Sequence, residues 1–403
     1  MNFAPWCVKA WKKAYSLSED RAYIPYGRHA IDADDEAAVL DALRSDWLTT
    51  GPMVAQFESD ICQYMRMPYA VAVSSGTAAL HAAVNAAGIG PGDEVIVSPL
   101  TFVASANCIL YEGGTPVFAD VERDTLLLSA QSVERLVTPE TRAIIAVDYA
   151  GQPCDYTALR ALCDKHGLIL IADCAHSIGA RFEDRSVASF ADLATFSFHP
   201  VKHITSGEGG MIVTHREDWA LRMKRFRNHG IDMDHTARAE NRQWQYGMAE
   251  PGYNYRISDI QCALAASQLK KLDQRIQRRN EIAALYDEAF RDSDQLELLQ
   301  CRPGVVHARH LYVLRLAKRY GAVERQKLFE FMRMRQIGVN VHYIPVYRHE
   351  YYVRHFAGDV AECPNVDQAA DRILSIPMYS SLTDAQVRRV IRTVRRGLAA
   401  LDE

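Results

Sequence analysis

Lys202 is the residue of this chain best placed to do chemistry. It follows the apolar stretch Ala194 to Phe198 and precedes the glycine-rich turn Gly207-Glu208-Gly209-Gly210. A lone lysine on a loop usually faces water. This one lies among aromatic residues at a strand end, a poor place for an idle charge. Desolvation there lowers the amine's pKa and makes it a nucleophile and a general base. Upstream, Leu168 to Asp173 reads as a second strand, ending in Asp173-Cys174-Ala175-His176. About one strand–connection–strand unit separates the acid from the amine, which puts both at neighbouring strand ends. Pyridoxal phosphate requires such a pair, a lysine for its aldehyde and an acid against its pyridine nitrogen.

The phosphate of such a cofactor needs a cradle. Tyr69-Ala-Val-Ala-Val73 reads as a short strand and Ser74-Ser75-Gly76-Thr77 as a tight turn into an alanine-rich helix. Free N–H groups and the positive helix end form an anion site there, with Gly76 and Thr77 at its centre. A plain strand-to-helix turn capped by Ser75 or Thr77 fits the same residues. Ser197, on the strand leading to Lys202, brings a hydroxyl toward the same phosphate. His176 supports either Asp173 or the cofactor's ring hydroxyl, or is a satisfied structural histidine. Phe102 either stacks on the pyridine face or fills the core. Gln152 follows the strand Ala143 to Tyr149 and lines the site from its side. His199 and His203 read as packing residues, and Glu208 as part of its turn. No metal site is expected.

These groups need a scaffold. Helix and strand signals alternate from about residue 32 to 215. Asp32 to Leu43 reads as a helix with Ala38, Val39 and Leu43 on its apolar side. Glu94 to Ser98, Pro116 to Val121, Ala143 to Tyr149, Ala194 to Phe198 and Gly210 to Thr214 add strands; Ser105 to Tyr111 adds a helix. The pattern predicts an α/β fold, a mostly parallel central sheet with helices on both faces. Farther on, Arg256 to Arg275 reads as one long helix. A smaller C-terminal α+β region follows, with strands near His310 to Arg315 and Val339 to His342. Thr383-Asp384-Ala385-Gln386 is a capping box for the last helix. The division expected is an extension over 1–22, a large cofactor-binding domain over 23–275 and a small domain over 276–403.

The bulk composition excludes several classes. The 403 residues are 48% hydrophobic and 24% charged, with net charge −4 and a pI near 6.4. Neither nucleic acid nor an anionic membrane surface is an expected partner, and no apolar run reaches the ~18–20 residues of a spanning helix. Nine scattered cysteines without a C-x-x-C pair read as thiols in a reducing cytoplasm. A nicotinamide-dependent oxidoreductase is disfavoured because no G-x-G-x-x-G follows the early strands. A non-catalytic binding protein on the same fold would be expected to have lost part of the constellation.

Taken together, several segments resemble the DegT/StrS sugar-nucleotide aminotransferases. They are I-P-Y-G (24–27), W-L-T-T-G-P (47–52), S-S-G-T-A-A-L (74–80), T-F-V-A (101–104), D-Y-A-G-Q-P (148–153), D-C-A-H-S-I-G-A (173–180), F-S-F-H-P-V-K (196–202) and G-Y-N-Y-R (252–256). The resemblance implies the aspartate-aminotransferase (type I) fold. It makes Lys202 the cofactor lysine and so favours transamination; some relatives carry histidine there and act as dehydratases. It also implies a homodimer with a shared active site, in which Asn254 reaches the cofactor phosphate from the other subunit. Tyr26, Asp46, Trp47, Leu48 and Thr49 then match nucleotide-sugar contacts, and His342 and Tyr343 a substrate-side loop. Within the family, V-K-H-I-T-S-G-E-G-G (201–210), F-R-N-H-G-I (226–231), Q-C-A-L-A-A-S-Q-L-K-K-L (261–272) and V-H-Y-I-P-V-Y (341–347) resemble the C4 aminotransferases of pseudaminic acid biosynthesis. That implies L-glutamate as amino donor and a UDP-4-keto-6-deoxy-N-acetylhexosamine as acceptor. Another keto-sugar nucleotide, dTDP- or UDP-linked and with the ketone at C3 or C4, is the alternative.

Overall fold

The computed structural model describes residues 22–232, 244–356 and 361–402. The segment 1–22 singled out in the sequence lies outside them, except for Ala22. Seven strands form the central sheet: β1 (Tyr69–Val73), β2 (Glu94–Val97), β3 (Thr115–Phe118), β4 (Thr141–Val147), β5 (Ile169–Asp173), β6 (Leu193–Ser197) and β7 (Gly210–Thr214). Their order is β1-β7-β6-β5-β4-β2-β3. Four neighbouring pairs are parallel, and β7 runs antiparallel to both its neighbours. Near-continuous burial along these strands explains their unbroken Val, Ile and Ala runs: helices cover both faces.

The topology aligns the chemistry. Asp173 is the last residue of β5 and Ser197 the last of β6, while Ser74 and Ser75 follow β1. These strands run in one direction, so all three ends meet at one edge of the sheet, where α/β folds open their ligand crevices.

A second apolar cluster gathers Ile24, Ile282, Tyr286, Phe290, Leu314, Leu328, Ile376, Val390 and Val394. It is built on β8 (Tyr312–Arg315) paired antiparallel with β9 (Ile373–Ile376) and on the helices Ala322–Met334 and Asp384–Ala399. The Thr383–Gln386 capping box is formed. Helix Leu272–Phe290 joins the two cores, with Leu272 and Ile276 in the sheet's core and Ile282 to Phe290 in the second.

Three local expectations are corrected. The helix expected over Arg256 to Arg275 is two helices, Asp259–Leu269 and Leu272–Phe290. The first starts only at Asp259, where Ser258 and Gln261 form a capping box. The break falls at Lys271, whose ammonium is drawn to Asp32 and Asp35 and whose N–H closes a tight turn on Gln268. Val339 to His342 is not a strand; a single bridge links Asn340 to Ser375. Leu43 is 49% exposed, and helix Ala33–Arg44 instead buries Asp35 and Ala42.

Candidate active site

The turn after β1 is capped as one of its two readings expects. Ser75 caps helix Gly76–Ala86, its Oγ accepting from the Ala78 N–H at 3.1 Å. The N–H groups of Gly76 and Thr77 then sit in the first turn, without intrahelical acceptors. Glycine is required at 76 because a Cβ there would lie 2.8 Å from the Ser197 Cβ and 3.1 Å from its Oγ. The helix start and the Ser197 hydroxyl are thereby pressed together, a shape that can cradle an anion.

Asp173 and Lys202 line the same cleft of about 840 Å³. The Asp173 carboxylate is 5% exposed. Its Oδ2 accepts from Ser105 Oγ at 2.7 Å and its Oδ1 from the Ala175 N–H at 3.1 Å. Burial raises its pKa above the ordinary carboxylate range, against the opposing pull of these donors and of Lys202. Burial also pushes the Lys202 ammonium down to about 8, against the attraction of Asp173. Desolvation outweighs the mutual attraction of the pair, so the amine is available near neutral pH.

His176 and Tyr343 form one wall. The Tyr343 hydroxyl and His176 Nε2 are 3.0 Å apart, with the rings stacked at 6.0 Å and 20°. Phe102, 57% exposed into the cleft, lies 6.3 Å from the Tyr343 ring. His342 is held by Ser375 Oγ at 2.9 Å and lies 5.5 Å from the Tyr26 ring. Burial pushes the His342 imidazole down to about 4, with the Lys202 charge adding to the effect. The Tyr149 hydroxyl donates to the His342 carbonyl and fixes this loop to the end of β4.

Of the residues singled out in the sequence, Tyr26, Gly76, Thr77, Phe102, Asp173, His176, Ser197, Lys202, His342 and Tyr343 line this cleft. Gln152 does not. Its amide nitrogen donates to the Gln300 carbonyl at 3.0 Å and its oxygen accepts from the Arg302 N–H at 2.7 Å. Both ends are spent on holding a neighbouring loop. Asn254 also stands apart, bridged through its backbone to Asn228. So do Asp46, Trp47, Leu48 and Thr49; they are exposed, and Trp47 faces a second cleft beside Lys224 and Arg225. The sequence reading missed Ser105, which holds Asp173, and His310, which lies beside Lys202. Ser105 was legible only as a helix start. His310 was legible only as the start of an expected strand.

The DegT/DnrJ/EryC1/StrS aminotransferase family pattern matches residues 29–395. The chain belongs to this family. It is 39% identical to the spore coat polysaccharide biosynthesis protein SpsC of Bacillus subtilis, over 93% of this chain and 96% of SpsC. Among solved structures, Helicobacter pylori PseC, an aminotransferase involved in the biosynthesis of pseudoaminic acid, superposes with a TM-score of 0.88 at 30% identity. That match covers 94% of this chain and 100% of PseC. The sugar aminotransferase Spr1654 of Streptococcus pneumoniae, described as putative, matches in its PLP form with a TM-score of 0.88 at 29% identity, over 94% of this chain and 99% of Spr1654.

The protein is therefore a pyridoxal-phosphate-dependent sugar aminotransferase of type I fold. The residues present fit the cofactor. The cradle is open to a phosphate, and among the described residues Asp173 has no cationic hydrogen-bond partner and buried His176 leaves its Nδ1 unbonded.

Proposed function

We propose that this aminotransferase moves an amino group from L-glutamate to the C4 ketone of a UDP-4-keto-6-deoxy-N-acetylhexosamine. The product would be UDP-4-amino-4,6-dideoxy-N-acetyl-β-L-altrosamine, an intermediate type of pseudaminic acid biosynthesis. The similarity to PseC over nearly the full length of both chains supports this acceptor. The observation that carries the chemistry is the cleft itself, with a depressed amine at Lys202, a buried acid at Asp173 and an anion cradle at Gly76, Thr77 and Ser197.

Pyridoxal phosphate, when bound, supplies an aldehyde that captures amines and a ring that accepts the electron pair left on carbon. Gly76, Thr77 and Ser197 hold its phosphate. Asp173 holds the proton on its ring nitrogen, since each charge favours the other. Lys202 Nζ would take the proton from the glutamate Cα and, in the half-reaction with the sugar, would give a proton to the carbon that gains the amino group, so that the lysine ends the cycle as it began. Phe102, His176 and Tyr343 keep water from the reacting atoms, and Tyr26 and His342 meet the sugar. Two substrates visiting one site in turn give ping-pong kinetics.

The working unit we propose is a cytoplasmic homodimer. Asn254 and the Asp46–Thr49 segment lie outside the cleft of their own chain, and Trp47 and Leu48 are 41% and 51% exposed. That arrangement suits residues that complete the site of a second copy. Division into a sheet domain and a small domain from about residue 276 is supported by the second apolar core.

The test is amino transfer from glutamate to a panel of nucleotide sugars. The UDP-4-keto-6-deoxy-N-acetylhexosamine should turn over fastest, and glutamate alone should bleach the holoenzyme's visible absorption. Faster turnover of a dTDP-linked or 3-keto sugar would overturn the acceptor assignment. No bleaching by glutamate would overturn the donor.

A further inference from the structure

Lys202 has a neighbour with no role assigned so far. His310 Nε2 lies 3.5 Å from Lys202 Nζ. No other hydrogen-bond partner reaches this amine among the described residues. His310 is 5% exposed, and its other ring nitrogen, Nδ1, has no partner among the described residues. The ring is wedged between two more buried imidazoles, His176 at 4.3 Å and His203 at 5.5 Å between centroids.

Its backbone is held as firmly as its ring. Buried Arg279 donates through Nη1 to the carbonyls of Arg309 at 3.1 Å, His310 at 3.3 Å and Met378 at 3.1 Å. The Ala308 N–H donates to the Gly151 carbonyl at 2.9 Å, and the Leu311 N–H to the Ala150 carbonyl at 3.2 Å. Gly151 has φ +98°, and a Cβ there would lie 2.7 Å from the His176 carbonyl oxygen and 2.9 Å from the His310 nitrogen. Glycine at 151 is what lets the His176 loop and the His310 segment close on each other.

We propose that His310 is a positioning residue for Lys202: its Nε2 accepts a hydrogen bond from the Lys202 ammonium and donates one to the neutral amine. The imidazole tautomerises, so the contact survives the loss of the lysine proton. The free Nδ1 gives the second tautomer no competing bond to break. His310 thus keeps Nζ aimed into the cleft while the amine is uncoupled from the cofactor. The charged and titratable groups facing the pair are Asp173, His176, His203, His342 and Arg279. Burial, and then the Lys202 charge, keep His310 itself neutral. The proposal rests on Lys202 being the reactive amine.

The test uses cofactor-free protein and needs no sugar. Lys202 is labelled with an amine-acylating reagent across a pH series, and the modified peptide is quantified by mass spectrometry. Wild type should give a midpoint near 8. His310→Phe removes the contact from both forms of the amine; the bond to the ammonium is the stronger, so the midpoint should fall by about one pH unit, the scale of the difference between a charged and a neutral hydrogen bond. His310→Gln, which keeps a donor and an acceptor, should restore most of the shift. Unchanged midpoints in both variants, with circular dichroism showing intact folds, would overturn the role. Equal shifts in both would also overturn it, since packing alone would then explain them. A wild-type midpoint above 10 would instead mark Lys202 as an ordinary exposed amine and sink the parent reading.

Discussion

Gly151→Ala should be destabilising for two separable reasons, and a second glycine provides its control. At Gly151 an alanine meets two separate penalties. The first is conformational: φ +98° costs an L-residue roughly 1–2 kcal/mol. The second is steric. The new Cβ would sit 2.7, 2.9 and 3.0 Å from the His176 oxygen, the His310 nitrogen and the Arg309 nitrogen. All three are backbone atoms, so no side chain can swing aside, and overpacking of this kind costs about 1–3 kcal/mol. The total is on the order of 2–5 kcal/mol. Gly167 has φ +68° and caps helix Tyr156–His166, but a Cβ there meets nothing within 4 Å. Gly167→Ala therefore pays only the conformational part, about 1–2 kcal/mol. Urea unfolding of both variants, with matched m-values, gives the difference directly. The functional readout should divide the same way. Gly151→Ala pushes His176 and His310 apart and should move the Lys202 labelling midpoint, while Gly167→Ala should leave it in place. Equal destabilisation of the two variants, or an unmoved midpoint in Gly151→Ala, would refute the claim that this glycine sets the lysine's surroundings.

Other outcomes follow from the same geometry. Lys202→Arg should keep the fold and lose both turnover and borohydride-trappable cofactor, whereas an active variant would refute the assignment. Asp173→Asn should retain some cofactor and react far more slowly; stopped-flow rates close to wild type would count against its role at the ring nitrogen. Ser105→Ala removes a donor that lowers the Asp173 pKa, so the acid limb of the pH–rate profile should move to higher pH, and an unmoved limb would deny this bond any electrostatic part. Lys202 carries a pH-dependent stability term as well. Its folded pKa of about 8 lies below the unfolded value of about 10.4. The cost of burying the ammonium is therefore fully present below pH 8 and relieved as pH rises through 10. The side chain is partly open to the cleft, so the term is on the order of 2 kcal/mol. Lys202→Met should stabilise the cofactor-free protein more at pH 7 than at pH 10; a constant difference would mean the amine is not desolvated.

The sheet and half of the site were legible because their signals are local. An apolar run of four to seven residues ending in a polar cluster marks a buried parallel strand and its functional end. That signal is enough to find Asp173, Ser197 and the Gly76 cradle. Lys202 was visible as a charge in an apolar setting. Gln152 shows the limit of the same argument. It follows β4 at the correct sheet edge, yet its amide is claimed by Gln300 and Arg302, some 150 positions away in the chain. Nothing near residue 152 announces them. The helix expected over Arg256 to Arg275 failed for a related reason: its apolar spacing continues across Lys271, and the break comes from carboxylates on helix Ala33–Arg44 and its cap.

The two walls of the cleft are built on different principles, and this bears on how substrate choice can vary. One wall is the sheet edge, where Asp173 and Ser197 are fixed by backbone ladders and Lys202 follows on the next turn. The other is the 340–344 loop, tied down by a backbone pair between Asn340 and Ser375 and by three contacts beyond it: Tyr149 to the His342 carbonyl, Ser375 to the His342 ring and Tyr343 to His176. A ladder tolerates no local change without loss of register. A loop held at a few points can exchange side chains between and at its anchors. Substitutions at Asn340 or Ile344, which line the cleft from this loop, should therefore alter KM for the sugar while leaving the glutamate half-reaction near its wild-type rate. Equal damage to both half-reactions would mean that the loop supports the chemistry itself rather than the choice of acceptor.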